Sequence, residues 1–314
     1  MIERAVVEVF GGCNYSCDMC PQSTGRGASW TRKMPLDLFE SILDQLPGKP
    51  IINLEGSGEP TMAKDLHKYI AACTERGLQS FVFTNGSFFS GAYMRRCIDA
   101  GLSFIRFSCI GYTPELYTKW MSVNNFELVR NNVRATQEYI EETGADTVVS
   151  SYHLILDTDN IDYELAQYRS EFIDKLGTVG YVWKMHNWSG NWDPEYQRSS
   201  QTKRTCGRPF APEITIRAGG TKGMMGAVTP CCQTMGPPNE AMSILGDFQS
   251  QSFDEIWYGD KYNGLRKAHE TGDWPDYCQG CDFLLDDPEV LVWSNDPTAK
   301  VHKMLGATDL SEYR

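Results

Sequence analysis

The sequence predicts an α/β protein built on a parallel sheet, followed by a small C-terminal domain of mixed α and β structure. Short β-branched runs alternate with segments of helical apolar spacing as far as residue 185. Glycine ends one helix after another, as at Gly77, Gly101, Gly144 and Gly177, where a left-handed residue precedes the next strand. Alternating strands and helices pair in parallel through right-handed crossovers, which gives an open doubly wound sheet or part of a barrel.

Six strand–helix units are expected in order. Strands are predicted over 5–10, 51–55, 80–84, 103–109, 147–156 and 179–185. Helical spacing of apolar residues occurs over 36–46, 66–73, 94–98, 126–143 and 163–176. The alternation ends after residue 192, and a hairpin near 214–229, a helical region over 253–265 and a closing turn at 278–281 are expected beyond it.

Length, charge and cysteine content restrict the class of protein. The chain has 314 residues, and 29 Lys and Arg against 41 Asp and Glu give a formal net charge of −12. This acidic balance argues against a nucleic-acid partner. No run of 18 apolar residues and no charged-then-apolar leader is found, so neither a membrane segment nor secretion is predicted, and a cytoplasmic location is expected. Eleven cysteines then indicate metal ligands and reduced core thiols.

Three cysteines lie close together in the loop after the first strand. Cys13, Cys17 and Cys20 fall within eight residues, preceded by glycines and followed by Pro21. A tetrahedral zinc site would need a fourth nearby ligand, whereas three thiolates on a [4Fe-4S] cluster leave one iron open. The triplet therefore predicts an iron–sulfur cluster with a vacant iron.

Other polar loops also follow predicted strands. In parallel α/β folds the ligand site lies at the carboxyl ends of the strands. The residues expected there are Gly56, Ser57, Gly58 and Glu59 after strand two, Asn85 after strand three, Ser108 after strand four, and His186 and Trp188 after strand six. This convergence of loops predicts an enzyme. For His186 and Trp188, packing between the two domains is an equal alternative to lining a substrate cavity.

A second group of cysteines follows the alternating region. Cys206, Cys231, Cys278 and Cys281 supply four ligands, and Cys232 is left over. By residue chemistry alone, a second iron–sulfur cluster and a structural zinc site are both compatible with four cysteines that end in a Cys-x2-Cys. Adjacent residues of an extended segment point to opposite sides, so Cys231 and Cys232 are not expected to bind the same centre.

The Cys-x3-Cys-x2-Cys triplet after a first strand resembles the radical S-adenosylmethionine (SAM) superfamily. The resemblance implies a partial (β/α)6 parallel barrel and a cluster whose open iron is chelated by SAM. Gly56 to Pro60 resembles the family's Gly-Gly-Glu-Pro motif, in which the glycines allow close backbone approach and Glu59 supplies acceptors for the SAM ammonium. Met19 stands where the family often has an aromatic residue and can pack against the adenine.

Two further segments extend the resemblance, which covers about residues 5–285. The stretch from 107 to 117 is similar to the strand-four segment, with Ser108 as a SAM contact, although Ile110 replaces the usual Asp. The second cysteine group resembles the twitch form of the SPASM extension, which implies one auxiliary [4Fe-4S] cluster, fully ligated by protein, that transfers electrons. The implied domains are a barrel over 1–190, a linker over 191–205, a small α+β twitch-type iron–sulfur domain over 206–285 and a tail over 286–314.

The implied function is hydrogen abstraction from a C–H bond by a 5′-deoxyadenosyl radical. Twitch relatives include an aminocyclitol dehydrogenase, and the first strand begins at residue 5, so a small polar metabolite is favoured over a ribosomal peptide. Two-electron oxidation is favoured over epimerisation, for which Cys232 or Cys109 would donate the hydrogen atom. The resemblance also implies an external one-electron donor such as flavodoxin or ferredoxin. A non-catalytic electron carrier and a zinc-stabilised binding module are the rival classes.

Overall fold

A ten-stranded sheet forms the centre of the protein in the computed structural model, which describes residues 1–20, 22–23, 32–157, 159–190, 202–219, 224–234, 243–285 and 291–299. The strands are β1 (Arg4–Val7), β2 (Ile51–Leu54), β3 (Ser80–Thr84), β4 (Phe104–Ser108), β5 (Val148–Ile155), β6 (Val179–Lys184), β7 (Glu213–Arg217), β8 (Ala227–Thr229), β9 (Gly246–Asp247) and β10 (Leu291–Ser294). Their order across the sheet is β10-β6-β5-β4-β3-β2-β1-β7-β8-β9.

Helices connect the strands of the first part of the chain. They are α1 (Leu36–Gln45), α2 (Leu66–Glu75), α3 (Gly91–Asp99), α4 (Pro114–Met121), α5 (Phe126–Thr143) and α6 (Ile161–Tyr168), which continues as a π-helix (Arg169–Asp174). The C-terminal part contributes α7 (Phe253–Trp257), α8 (Asp260–Thr271) and α9 (Asp276–Gln279). Short 3₁₀ turns occupy Pro60–Met62 and Asp282–Leu284. No helix of the described residues is both long and apolar enough to cross a membrane.

The predicted parallel barrel is confirmed. Strands β1 to β6 pair in parallel in chain order, and the sheet is open rather than closed, as a partial barrel requires. The glycines expected to end helices have positive φ, between 65° and 93°, at Gly77, Gly101, Gly144 and Gly177. Apolar helix faces pack on the outside of the sheet, and the thiols of Cys73 and Cys97 lie in this core.

The C-terminal hairpin extends the barrel sheet. β7 pairs in parallel with β1, and β8 and β9 follow in antiparallel pairing. Without β7, the edge of β1 opposite β2 would expose a row of backbone donors and acceptors. β7 supplies their hydrogen-bond partners. The small domain therefore shares its sheet with the barrel instead of forming a separate layer.

The opposite edge is covered by the C-terminal tail, for which no strand was predicted. β10 pairs antiparallel with β6, Gly180 N donates to Asn295 Oδ1 at 2.7 Å, and Ser294 Oγ donates to Gly180 O at 2.7 Å. Most of the predicted linker, residues 191–201, lies outside the described residues, as do 286–290 and 300–314 of the tail.

Candidate active site

The cysteine triplet lies in the loop after β1, as predicted. Tyr15 N donates to Cys13 Sγ at 3.4 Å, and the Cys17 thiol lies 3.7 Å from Met121 O at the end of α4. Burial raises the pKa of Cys13 to about 12, and the charge of Cys20 adds to this effect. Burial also raises the pKa values of Cys17 and Cys20. Three thiolates so placed require a cationic partner to remain ionised.

The loop after β2 packs directly against the cysteine loop. A Cβ added at Gly58 would lie 2.0 Å from Phe10 O and 2.7 Å from Gly12 O, so only glycine fits between these two backbones. Glu59 N then donates to Gly12 O at 2.8 Å. The two loops are thus held together by backbone contacts immediately before Cys13.

The Glu59 carboxylate ties this loop to β3. Its Oε1 accepts from Thr61 N at 3.0 Å, Thr61 Oγ1 at 2.6 Å and Thr84 Oγ1 at 2.6 Å, and its Oε2 accepts from Asn85 N at 2.7 Å. Burial raises the pKa of Glu59, while the hydrogen bonds from Asn85 and Thr61 oppose that shift. With three donors on Oε1 and one on Oε2, the remaining acceptor capacity lies on Oε2.

Asn85 links the third strand to the cysteine loop. Its Nδ2 donates to Asn14 Oδ1 at 2.9 Å and lies 3.9 Å from Cys13 Sγ, and its Oδ1 accepts from Ser87 N and Ser87 Oγ. Asn14 Nδ2 in turn donates to Ser87 Oγ at 3.0 Å. Asn85 therefore fixes the residue that follows the first cysteine.

A buried carboxylate joins the site to the C-terminal hairpin. Glu8, only 2% exposed, accepts from Ser57 N and Ser57 Oγ, both at 2.7 Å, through Oε2. Its Oε1 accepts from Ala218 N at 3.2 Å, and Arg217 Nη2 donates to Ser57 Oγ at 3.1 Å. A Cβ at Gly56 would meet Glu8 Oε2 at 2.4 Å. Ser57 and Gly56 thus position Glu8 between the barrel loop and β7.

The residues at the end of β4 divide between two sides of the sheet. The hydroxyl of Ser108 makes no hydrogen bond within the part of the chain that the structure describes. Cys109 is completely buried, and His153, whose Nδ1 lies 3.2 Å from Cys109 O, contacts Glu164 Oε1 at 2.7 Å. Ile110, in place of the family's Asp, is also buried. Cys109 therefore lies in the core under α6, away from the barrel interior.

Cys278 and Cys281 of the second cysteine group lie near Cys206 and Cys231. Burial raises the pKa of Cys278, and the charges of Cys231, Cys281 and Cys206 add to this shift. Burial also raises the pKa of Cys281, and the charges of Asp282, Cys206 and Cys231 add to that shift. The four thiols thus lie close enough to act on one another. Asp282 Oδ2 accepts from Asn187 N at 3.0 Å and Asn187 Nδ2 donates to Gly280 O at 2.7 Å, which anchors this group to the loop after β6.

The spare cysteine, Cys232, lies beside an arginine. Cys232 Sγ lies 3.3 Å from Arg208 Nη1, and Arg208 Nη1 lies 3.5 Å from Glu213 Oε1. Burial alone would lower the pKa of the Arg208 guanidinium. The negative charges of Cys232, Cys231 and Glu213 outweigh this effect, so that the pKa is raised. Cys231 and Cys232 both lie on the wall of the cavity described next.

A cavity of about 520 Å³ occupies the interior of the barrel. It extends from the loop after β2, at Gly56, to Cys231 and Cys232, and its size suits a small ligand. His186 and Trp188, whose rings meet edge to face with centroids 4.2 Å apart, line it as well. Charged groups on its wall are Arg4, Glu55, Arg106, Arg208, Glu213 and Asp296.

Both cysteine groups fit iron–sulfur clusters. Within the described residues, no three His, Cys, Asp or Glu side chains are grouped closely enough to hold a single metal ion. A four-iron cluster distributes its thiolate ligands over separate iron atoms. Buried cysteines with raised pKa values are suited to such cationic iron, because coordination stabilises the thiolate.

Sequence reasoning missed Glu8, Arg217 and Arg106. Each is a charged residue within a mainly apolar or β-branched segment, and Glu8 and Arg217 prove to be buried while Arg106 is half-buried. A charge inside a predicted buried strand was the available signal, because such a residue needs a partner or a function.

The comparisons with known proteins define the class of protein. The model of the radical SAM superfamily matches residues 7–167, and that of the SPASM iron–sulfur cluster-binding domain matches residues 223–282. The chain belongs to the radical SAM superfamily. It is a radical SAM enzyme with a SPASM domain, and its cofactors are SAM and [4Fe-4S] clusters.

Individual relatives span most of the chain at low identity. An AdoMet-dependent heme synthase of Methanosarcina barkeri is 24% identical over 317 residues, which cover 88% of this chain and 87% of that protein. The structure of BtrN in complex with AdoMet and 2-DOIA has a TM-score of 0.57 at 18% identity, covering 90% of this chain and 93% of BtrN. Streptococcus suis SuiB bound to precursor peptide SuiA has a TM-score of 0.62 at 15% identity, covering 85% and 67%. These structural likenesses establish the fold alone.

Proposed function

We propose that this protein oxidises a small polar metabolite of the sugar or aminocyclitol type by two electrons, in the cavity inside the barrel. The observation that carries the proposal is that one cavity extends from Gly56, two residues before the Gly58 that packs on the cysteine loop, to Cys231 and Cys232 in the second group. A substrate there lies between the two cluster sites. The mixture of aromatic, charged and amide side chains on the wall suits a polar molecule.

The residues proposed for the SAM site combine the family motif with the contacts around Glu59. Cys13, Cys17 and Cys20 would hold the first cluster, which together with SAM supplies the 5′-deoxyadenosyl radical when both are bound. Glu59 Oε2 and the backbone of Gly56 to Gly58 would receive the SAM ammonium, since Oε2 keeps acceptor capacity. Asn85 and Ser57 position these loops, and the hydroxyl of Ser108 remains available to SAM.

The second group supports the oxidation. Cys206, Cys231, Cys278 and Cys281 would hold an auxiliary [4Fe-4S] cluster with every iron bound by protein, which leaves it no site for substrate and an electron-transfer role. The barrel excludes water around the substrate. An external donor such as flavodoxin or ferredoxin supplies the first electron, and the reduced thiols suit a cytoplasmic location.

Domain limits follow the same assignment. We propose a barrel over 1–190, a linker over 191–205, the twitch-type domain over 206–285 and a tail over 286–314. The two matched stretches fall inside the first and third of these. The pairing of β1 with β7 joins these two proposed domains by backbone hydrogen bonds.

Epimerisation is the second candidate, and one observation favours it. Cys232 is a cysteine on the cavity wall, where a thiol can return a hydrogen atom to a substrate radical. Cys109 was the other candidate donor, but its burial under α6 places it away from the cavity. A peptide substrate and a tetrapyrrole, as the name of the M. barkeri relative suggests, are further alternatives for the same cavity.

Turnover in deuterated water separates oxidation from epimerisation. Anaerobically reconstituted enzyme would be screened with sugars and aminocyclitols for substrate-dependent 5′-deoxyadenosine, and the product analysed by mass spectrometry. Oxidation predicts a product two hydrogens lighter with no new C–D bond. Solvent deuterium at the reacting carbon, lost in Cys232→Ala but retained in Cys109→Ala, would instead establish the epimerase.

A further inference from the structure

Arg106 is distinctive among the charged groups of the cavity. Three arginines line it, and two of them meet Glu213, at 3.8 Å from Arg4 and at 3.5 Å from Arg208. Arg106 has no carboxylate within 4.0 Å among the described residues. Its charge is therefore the one arginine charge on this wall without a direct ionic partner.

The Arg106 guanidinium is held in one orientation. It stacks over the ring of Tyr181 at 3.8 Å and lies 5.0 Å from the centroid of Phe81, and Nε donates to Ser150 Oγ at 3.3 Å. Stacking occupies the faces of the guanidinium, and Ser150 occupies one of its in-plane donors. Tyr181 also takes up part of the hydrogen-bonding capacity of the guanidinium. The other Nη donors lie in the plane, on a residue that lines the cavity, which is the arrangement that receives a planar anion.

The nearby acids do not take those donors. Asp296 accepts from Tyr181 Oη at 2.5 Å and from Thr298 N at 2.8 Å, and Glu55 accepts from Asn53 Nδ2 at 2.9 Å. Burial lowers the pKa of Arg106, although an arginine side chain stays protonated in proteins. A cation that is partly removed from water and keeps open donors is stabilised when an anion satisfies them.

We infer that the substrate carries a carboxylate, which the Nη donors of Arg106 bind inside the barrel. This inference rests on the proposed function and names its substrate class. A monoanion would pair with this one guanidinium, whereas a phosphate dianion would bring a second negative charge close to Glu55 and Asp296. Arg106 lies two residues before Ser108 on β4, a distance of about 7 Å along the strand at about 3.3 Å per residue.

Binding of matched probes tests the inference without turnover. Full-length reconstituted protein would be titrated with cyclohexanecarboxylate, with cyclohexanecarboxamide and with cyclohexyl phosphate, followed by saturation-transfer NMR. A bidentate charged hydrogen bond predicts that the carboxylate binds about 10-fold or more tightly than the carboxamide. The preference should disappear in Arg106→Met, persist in part in Arg106→Lys, and be unchanged in Arg95→Met, where an exposed arginine stacks on Tyr139 at 5.3 Å.

Several outcomes would overturn the inference. They are no binding of the carboxylate, equal binding of carboxylate and carboxamide, tighter binding of the phosphate, or an unchanged preference in Arg106→Met. If Arg106→Met does not fold, the comparison of the three probes on the wild-type protein still decides. Formation of 5′-deoxyadenosine by the same preparation reports separately on the proposed function, so SAM cleavage without carboxylate preference would refute this inference alone.

Discussion

Replacing Gly58 by alanine should disable SAM cleavage although no cluster ligand is changed. The new Cβ would lie 2.0 Å from Phe10 O, where ordinary contacts begin at 3.4 Å, so one of two backbones must move by about 1.4 Å. The neighbouring atoms are backbone, which cannot rotate away as a side chain can. The displacement acts on the hydrogen bond from Glu59 N to Gly12 O, next to Cys13. Since a shift of about 1 Å can cost 10²-fold in rate, a loss of at least that size is expected.

The assay is 5′-deoxyadenosine formation by reconstituted enzyme reduced with dithionite, with iron and sulfide measured on the same sample. Gly264→Ala is the matched control, because no atom beyond its own helix lies within 4 Å of the added Cβ and the residue is inside α8. That variant should retain activity and gain about 0.5–1 kcal/mol of stability. Gly58→Ala activity within threefold of wild type, at full iron content, would refute the reasoning.

Three further changes probe the two cysteine groups and their connection. Joint replacement of Cys13, Cys17 and Cys20 by alanine should remove about half of the iron and all SAM cleavage, since only that cluster has an open iron; retained iron would contradict the assignment. Cys278→Ala should remove the other half, preserve part of the reductive SAM cleavage and stop substrate oxidation, and unchanged product from a sample lacking that cluster would exclude electron transfer through it. Glu8→Gln should lower the thermal midpoint and slow SAM cleavage, because the buried amide NH2 would face the N–H and O–H donors of Ser57, which now bond to a carboxylate oxygen. A wild-type midpoint and rate would argue that this carboxylate does not hold the barrel loop and the C-terminal hairpin together.

The elements that sequence could predict are those set by local pattern. Phe126–Thr143 forms one helix with the bounds expected from its apolar spacing and from Gly144, and the cysteine triplet follows β1 as expected. Both depend on residues close in the chain. The family motif then predicted the cofactor. Gly58, which packs on the cysteine loop, and Glu59, which supplies the acceptors, belong to one short local sequence.

Long-range pairing could not be predicted in the same way. Nothing in 213–217 indicates that it adds to the edge of β1, and β10 comes from a tail for which no strand was predicted. Strand partners depend on which edge remains open once the barrel forms, and this is a property of the whole fold. Likewise, the position of Arg106 on a cavity wall could not be predicted, because it depends on the pairing of strands that brings its side chain onto Tyr181.

The most direct test of the account is electron paramagnetic resonance of the reduced protein, with and without SAM, combined with iron and sulfide analysis. The account predicts about eight iron and eight sulfide atoms per chain and two reduced-cluster signals, of which SAM shifts only one. The signal that shifts should be the one missing from the triple cysteine variant. Zinc in place of the second cluster's iron, or a signal from the Cys206, Cys231, Cys278 and Cys281 cluster that responds to SAM, would contradict the assignment of one open and one fully ligated cluster.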